Sequence, residues 1–177
     1  MTAPELDLVD IVDEDGNTSG VAPRREMRQK RRPHRCVYLL VFNARGDLFI
    51  HLRTPTKDVY PDHWDVAVGG VLEAGENFDE GVRRECREEL GVLVKPHLLF
   101  PFRYSDSQTI VHAHVFQAVH DGPFVLQAEE VVRGEFVPIG ELSNRMQQES
   151  FCPDGMAVWT EFLRHNSNNN SGFCYRI

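Results

Sequence analysis

Three glutamates crowd into one short stretch of the sequence: Glu85, Glu88 and Glu89 lie within five consecutive positions. If residues 78–90 form a helix, these acids are neighbours at spacings of three and four residues, where like charges destabilise a helix by roughly a few tenths of a kcal/mol per pair. A hard divalent cation such as Mg²⁺ would offset that repulsion, because it takes carboxylate oxygens and is often shared with substrate phosphates. The glutamates therefore predict a metal site, and an exposed helix whose acids pair with nearby arginines is the alternative.

The spacing of the apolar residues places two of these glutamates beside the protein core. At about 100° per residue, one apolar stripe runs along the predicted helix and must face the core. Glu89 falls about 20° from this stripe and Glu85 about 60° to one side, whereas Glu88 lies about 120° away. Solubilising charges normally occupy the opposite face, so this placement favours a functional role for the acids. The stripe consists of Phe78, Val82, Cys86 and Leu90.

The residues around the glutamates complete a longer pattern that runs from Gly70 to Val92. After the first glycine come five residues and Glu76, then seven residues and Arg84, and the pattern closes with a glycine and a hydrophobic residue. This stretch resembles the Nudix box, and it meets every fixed position of that box. Cys86 stands at a position that is usually aliphatic, where a buried cysteine behaves as a small hydrophobe.

The resemblance implies a divalent-metal cofactor, Mg²⁺ with Mn²⁺ as a possible substitute. Glu85 and Glu89 would be the principal metal ligands, and Glu88 would be either a further ligand or the base for the attacking water. The remaining roles implied by the box are a metal-binding backbone carbonyl at Gly70, a guanidinium that orients the carboxylates at Arg84, and a loop brace at Glu76. The number of metal ions and the identity of the general base stay open.

The same resemblance implies an α/β (α+β) protein with the Nudix fold, an α/β/α sandwich built on a mixed β-sheet. Hydrophobic periodicity and turn residues predict the elements of such a fold. Strands are expected at 6–12, 36–42, 48–52, 64–71, 98–104, 109–119 and 135–138, and helices at 78–90, 139–148 and 154–164, with a helix and loop in the basic stretch 24–35.

Outside the box, the chain resembles the Nudix branch that includes isopentenyl-diphosphate isomerase. The similarity rests on the N-terminal segment 8–16 and on residues 34–35, 52–57, 60–61 and 64–65. In the isomerases, an arginine and a lysine at the places of Arg53 and Lys57 hold the diphosphate, so the same substrate-binding role is implied here. Ordinary exposed charges are the alternative.

Two positions next to the start of the box separate hydrolysis from isomerisation. Gly69 stands where the isomerases carry their catalytic cysteine, and Val71 stands where they carry a metal-binding histidine. An alkene would therefore lack its proton donor, whereas all three box glutamates are intact. The residues favour a hydrolase that cleaves a diphosphate linkage in a small phosphorylated metabolite, with a nucleoside diphosphate derivative as the expected substrate. The alternatives are an isomerase-like enzyme and a non-catalytic nucleotide-sensing domain.

Several further residues are weaker candidates for the site. Glu130 lies where many Nudix proteins place a loop carboxylate that supports catalysis, and a solvated loop acid is the alternative. His112 and His114 alternate onto one face of a predicted strand and could bind a metal, although two polar residues on an exposed face are commoner. Aromatic residues that could stack on a base, or belong to the core, are Tyr60, Trp64, Phe100 and Tyr104.

The composition fits one globular domain over residues 1–165, followed by an Asn/Ser-rich flexible tail at 166–177. A net charge of −8 argues against a nucleic-acid polymer as partner, because phosphate backbones bind basic surfaces. No apolar run approaches the roughly 20 residues of a membrane span, and no leader pattern is present. We therefore expect a cytoplasmic protein that acts on a small-molecule diphosphate. Whether it is a monomer or a homodimer stays open.

Overall fold

The computed structural model describes residues 7–168 of the chain. These residues form eight strands and four helices. Their order is β1 (Leu8–Val12), β2 (Thr18–Pro23), α1 (Arg24–Gln29), β3 (His34–Phe42), β4 (Leu48–Arg53), β5 (Trp64–Asp65), α2 (Phe78–Leu90), β6 (His97–Ser105), β7 (Ile110–Val119), β8 (Val131–Val137), α3 (Ile139–Gln148) and α4 (Pro153–Asn168).

The strands of this part of the chain form one mixed sheet. Strands β3 and β7 run parallel to each other at its centre, in register from His34 opposite Val111 to Phe42 opposite Val119. The remaining pairings between named strands are antiparallel: β1 with β2 and β3, β4 with β3, β5 and β8, and β6 with β7. Strand β3 is buried on both faces, as expected for a strand covered by helices, whereas β7 alternates between buried and half-buried residues.

Strand β3 shows how the two faces of the sheet are filled. Its residues alternate between two core clusters, because successive side chains of a strand point to opposite faces. One cluster packs Tyr38 and Leu40 with Trp159 and Phe162 of α4. The other packs Val37, Leu39 and Val41 with Val82, Cys86 and Leu90 of α2. The mixed sheet between two helical layers confirms the predicted α/β/α sandwich.

Helix α2 has well-defined ends on both sides of the glutamates. Asn77 caps its N-terminus by accepting a hydrogen bond from the backbone of Glu80, and the Glu80 carboxylate accepts one from the backbone of Asn77. Gly91 ends the helix in the left-handed conformation, at φ 67°. Such a capping box and glycine terminator fix the helix boundaries, so the register of the three glutamates is set locally.

The sequence misplaced some of the other boundaries. The strand expected at 64–71 is only two residues long, after which the chain bends back to bridge β3 at Val68 and Val71. Strand β8 begins at Val131 rather than at 135. The sequence did not indicate β2 (Thr18–Pro23), which is held by pairing with β1.

Helix α4 extends further than predicted. It runs to Asn168, so residues 166–168, which the sequence assigned to a flexible tail, continue the helix. Extending an existing helix by one residue fixes few dihedrals for each hydrogen bond gained, and the Ser167 hydroxyl donates to the carbonyl of Leu163 at 2.9 Å. The rest of the expected tail lies outside the described residues. Along residues 7–168, none of the helices combines the length and apolarity needed to span a bilayer.

Candidate active site

Two of the three box glutamates are buried where α2 meets the sheet. Glu89 is 3% exposed and Glu85 is 8% exposed, whereas the Glu88 side chain is 47% exposed. This arrangement confirms the helix-wheel prediction for each of the three. Burial raises the pKa of Glu89 to about 8, and the neighbouring Glu85 adds to the increase. Burying charged carboxylates is costly unless a cation compensates them.

Arg84 gathers the acids around it. Its guanidinium donates hydrogen bonds to Glu76 at 2.8 Å, to Glu85 at 2.9 Å and to Glu88 at 3.1 Å, and it also reaches the carbonyl of Val71 at 3.2 Å. These contacts, led by the one with Glu76, raise the pKa of Arg84 further. Glu76 also accepts the backbone N–H of Glu73. Arg84 therefore contacts three acids at once, and Glu76 joins the loop before α2 to the helix through hydrogen bonds.

Gly70 lies against the carboxylate of Glu85. A Cβ atom at position 70 would be 2.7 Å from Oε1 of Glu85, so a side chain there would displace the acid. The carbonyl of Gly70 accepts the backbone N–H of Val37 at 3.0 Å, which leaves a second lone pair on that oxygen. Glycine at this position therefore leaves room for the buried carboxylate of Glu85.

His51 faces Glu89 from strand β4. Its Nε2 lies 3.9 Å from Oε2 of Glu89, and both side chains are buried. Burial, with a contribution from Arg53, lowers the pKa of His51 to about 3, so the imidazole is neutral. Within residues 7–168, Oε2 of Glu89 is buried without a hydrogen-bond partner. An acceptor in this condition suits a cation.

The donors present at α2 fit a hard divalent ion. They are carboxylate oxygens and a carbonyl oxygen, which Mg²⁺ prefers. In the described chain, no three His, Cys, Asp or Glu side chains already converge as a metal cage. Glu85 and Glu88 instead turn towards Arg84. The residues that could hold the ion are Glu85, Glu88, Glu89 and the carbonyl of Gly70.

Arg53 and Lys57 line a cavity next to Gly70, and both already have partners. Arg53 donates to the carbonyls of Val59 and Tyr60 and lies 3.8 Å from Asp65. Lys57 forms an ion pair with Glu130. Burial is the main cause of a lowered pKa for Lys57. Arg53 therefore stabilises the 54–63 loop through hydrogen bonds to its carbonyls. The ion pair of Lys57 with Glu130 lies at the cavity.

The remaining candidates from the sequence pack against other residues of the fold. His114 stacks on Phe78 with 3.8 Å between ring centroids, and the His112 ring lies over Gly16. Both histidines are half-buried, on the same face of β7. Of the aromatic candidates, Tyr60, Trp64 and Phe100 are buried core residues and Tyr104 is packed against the core.

Two features of the site had only a weak signal in the sequence, or none. His51 shares one face of β4 with Phe49 and Arg53 at alternating positions, a pattern that period-2 analysis can detect. Asp10 on β1 accepts hydrogen bonds from Arg35 and from the backbone N–H of Gly75, which anchors the loop before α2. Nothing in the spacing of Asp10 indicated this contact.

Comparisons with known proteins agree with the resemblance to the Nudix family. The NUDIX domain family matches residues 32–154. The chain is 37% identical over 156 residues to an uncharacterized Nudix hydrolase of Streptomyces coelicolor, covering 86% of each protein. It is 33% identical over 164 residues to the uncharacterized Nudix hydrolase YfcD of Escherichia coli K12, covering 92% of this chain and 90% of YfcD. The crystal structure of DR0079 from Deinococcus radiodurans superposes with a TM-score of 0.74 at 29% identity, covering 85% of this chain and 96% of that one.

Proposed function

The chain belongs to the Nudix family of hydrolases, which act on pyrophosphate bonds, and from this premise we propose that it is a Mg²⁺-dependent enzyme that cleaves a nucleoside diphosphate derivative. One observation carries the proposal: Glu85 is buried beside Gly70, Glu89 is buried on the same helix, and a buried oxygen of Glu89 has no hydrogen-bond partner among residues 7–168. Such carboxylates are expensive to keep in the fold without a cation. Mn²⁺ is proposed as a substitute for Mg²⁺.

The metal would be held by Glu85, Glu89 and the Gly70 carbonyl, with Glu88 as a further ligand. A divalent ion at this place would neutralise charge on the diphosphate and make water more acidic. The protein's own residues do the positioning. Arg84 keeps Glu85 and Glu88 in place through its hydrogen bonds, and fixed positioning of this kind lowers the barrier of a transfer reaction.

In the proposed site, Lys57 would bind a substrate phosphate and Glu130 would accept a proton. Their ion pair lies at the cavity beside Gly70. A substrate phosphate that takes over Lys57 would leave Glu130 free to accept a proton. Glu88 is exposed and also close to the metal-binding acids, so either carboxylate is a candidate general base.

An isomerase of isoprenoid diphosphates is the second candidate, and the backbone at Gly69 argues against it. Gly69 has φ 155°, and a Cβ atom there would lie 2.0 Å from the carbonyl oxygen of Val37. A cysteine does not fit this backbone, so the thiol that the isomerases use is not available at position 69. Hydrolysis of a diphosphate requires no side chain at position 69.

A substrate screen tests the proposed function. The purified protein should be incubated with Mg²⁺ or Mn²⁺ and a panel of nucleoside di- and triphosphates, dinucleotides, nucleotide sugars, coenzyme A and prenyl diphosphates. We expect metal-dependent cleavage of at least one nucleoside phosphate, and no cleavage in excess EDTA. ADP-ribose belongs in the panel because a Nudix domain of Shewanella oneidensis was solved with it. Binding without turnover, or interconversion of prenyl diphosphates without cleavage, would contradict the proposal.

A further inference from the structure

His51 is a buried polar residue that strand β4 holds in a fixed place. It is 2% exposed, and it pairs on both edges of the strand, opposite Asp65 of β5 and opposite Gly134 of β8. Its ring also stacks with that of Phe49, with 6.4 Å between the centroids. A side chain that is fixed by a sheet and by packing can position a neighbouring group precisely.

The surroundings of the ring indicate which nitrogen of His51 carries the proton. A neutral imidazole has an N–H donor on one nitrogen and a lone pair on the other. Nδ1 is buried without a hydrogen-bond partner among residues 7–168, whereas Nε2 lies 3.9 Å from Oε2 of Glu89. A proton on Nδ1 would turn the lone pair of Nε2 towards the lone pairs of this carboxylate. The favoured tautomer therefore has its N–H on Nε2, facing Glu89.

Glu89 is the box carboxylate that lacks a donor at one of its oxygens. Arg84 donates hydrogen bonds to Glu85 and to Glu88, but Oε2 of Glu89 is buried without a hydrogen-bond partner in the described part of the chain. The backbone carbonyl of Glu89 accepts the N–H of Gln127 at 3.1 Å. The helix is thus anchored at this residue, and its carboxylate still needs a group that orients it.

The separation of the two side chains is close to a hydrogen bond. An N–H···O bond spans roughly 2.7–3.2 Å between heavy atoms, so a movement of about 1 Å would close the gap. Hydrogen bonds of active sites are often long in free enzymes and tighten in the complex. One lone pair of Oε2 would accept the N–H of His51, and the other lone pairs of the carboxylate remain available to a cation.

We propose that His51 is a positioning residue, whose Nε2–H donates to Glu89 and holds this carboxylate in place for the metal ion. The inference rests on the proposed function, because it takes Glu89 as a metal ligand. Carboxylates that bind a metal are themselves hydrogen-bonded, and these second partners contribute to affinity. His51 thereby does for Glu89 what Arg84 does for Glu85.

The affinity for Mn²⁺ alone tests the donor without any substrate. The Kd is measured from the electron paramagnetic resonance signal of free Mn²⁺, for the wild type and for His51→Leu, His51→Asn and His51→Gln. The amide nitrogen of glutamine stands at the place of Nε2, whereas that of asparagine stands at the place of Nδ1. We expect His51→Leu and His51→Asn to bind Mn²⁺ roughly tenfold to 100-fold more weakly, and His51→Gln to stay within about threefold of the wild type.

Two results would overturn the inference. Equal losses in His51→Leu and His51→Gln would show that the shape of the side chain matters and its donor does not. A wild-type Kd in His51→Leu would show that Glu89 needs no donor from β4. Urea denaturation establishes that each variant folds, and if His51→Leu does not fold, the comparison of His51→Gln with His51→Asn decides.

A double-mutant cycle tests whether His51 acts through Glu89. In the Glu89→Gln background, His51→Leu should change the Kd for Mn²⁺ less than about twofold, because residues that act as a pair are not additive. The same loss in both backgrounds would contradict a role through this carboxylate.

Pulsed electron paramagnetic resonance of the bound Mn²⁺ separates a positioning residue from a metal ligand. We expect no directly bound nitrogen in the wild type. A nitrogen coupling that disappears in His51→Gln would make His51 a ligand and overturn the positioning role. These measurements are independent of the cleavage screen: a protein that shows the expected Mn²⁺ affinities but cleaves none of the substrates would contradict the proposed function alone.

Discussion

At the scale of single residues, the site depends on close approaches that tolerate little change. Gly70 leaves room for the Glu85 carboxylate, and Arg84 donates a hydrogen bond to the same carboxylate. Glu89 lies deeper, against the neutral imidazole of His51. Each of these contacts is specific to the side chains present, so substitutions should affect metal binding before they affect folding.

Replacing Gly70 by alanine should disturb the metal site selectively. The added Cβ would meet the flexible end of Glu85 rather than backbone, so the protein should fold with little loss of stability. We expect the Kd for Mn²⁺, measured by calorimetry, to rise roughly tenfold to 100-fold, as is typical when a metal site loses its alignment. Gly140→Ala is the matched control, because nothing lies within 4 Å of its Cβ position. Unchanged Mn²⁺ binding in Gly70→Ala would contradict the assigned geometry.

At the scale of elements, α2 was predictable because its signals are local. The apolar stripe, the cap at Asn77 and the terminating Gly91 are all within or next to the helix. The bend after β5 was not predictable, because it depends on pairing with β3, which is distant in sequence. Strand β2 was missed for the same reason: its partner, β1, and not its own composition, makes it a strand.

The capping box of α2 gives a prediction about stability. Removing the Asn77 side chain leaves the backbone N–H of Glu80 without its acceptor. We expect Asn77→Ala to lower the free energy of unfolding by about 1 kcal/mol, measured by urea denaturation. Asn144→Ala, at an exposed position within α3, should have a smaller effect. An Asn77→Ala protein as stable as the wild type would show that tertiary packing alone fixes the start of the helix.

At the scale of the whole molecule, the two-layer core was predictable and the site only in part. The apolar stripe of α2 predicted which face of this helix is buried, and the structure confirms it. Residues that join the site from other segments, such as Asp10 and His51, were not identified because their contacts depend on long-range topology. Arg53 illustrates the opposite case. The sequence identified it as a candidate site residue but gave no sign of its hydrogen bonds to loop carbonyls.

The global stability should depend on pH through His34. This residue is 1% exposed, and burial lowers its pKa to about 4 from an ordinary 6.5. Between these values the unfolded chain binds a proton that the folded protein does not, so stability falls as the pH falls from about 6.5 to about 4. The loss at the acid end should be roughly 3 kcal/mol. Urea denaturation at several pH values measures it.

The His34→Gln variant should show a flatter dependence of stability on pH over this range. His97→Gln, at an exposed position, should keep the wild-type profile. Parallel profiles for the wild type and His34→Gln would show that other groups, such as the buried carboxylates, dominate the acid transition.

The most direct test of the central claim is the metal-dependent cleavage rate of the Glu89→Gln variant. The substrate is the nucleoside phosphate that the wild type cleaves fastest, and kcat is measured at saturating Mg²⁺. Glu80→Gln is the control, because it makes the same change on the same helix and a glutamine at this position preserves a capping box. We predict a loss of roughly 100-fold or more for Glu89→Gln and less than about threefold for Glu80→Gln. A Glu89→Gln enzyme with wild-type kcat and wild-type dependence on Mg²⁺ would contradict the assignment of this buried carboxylate to the metal site.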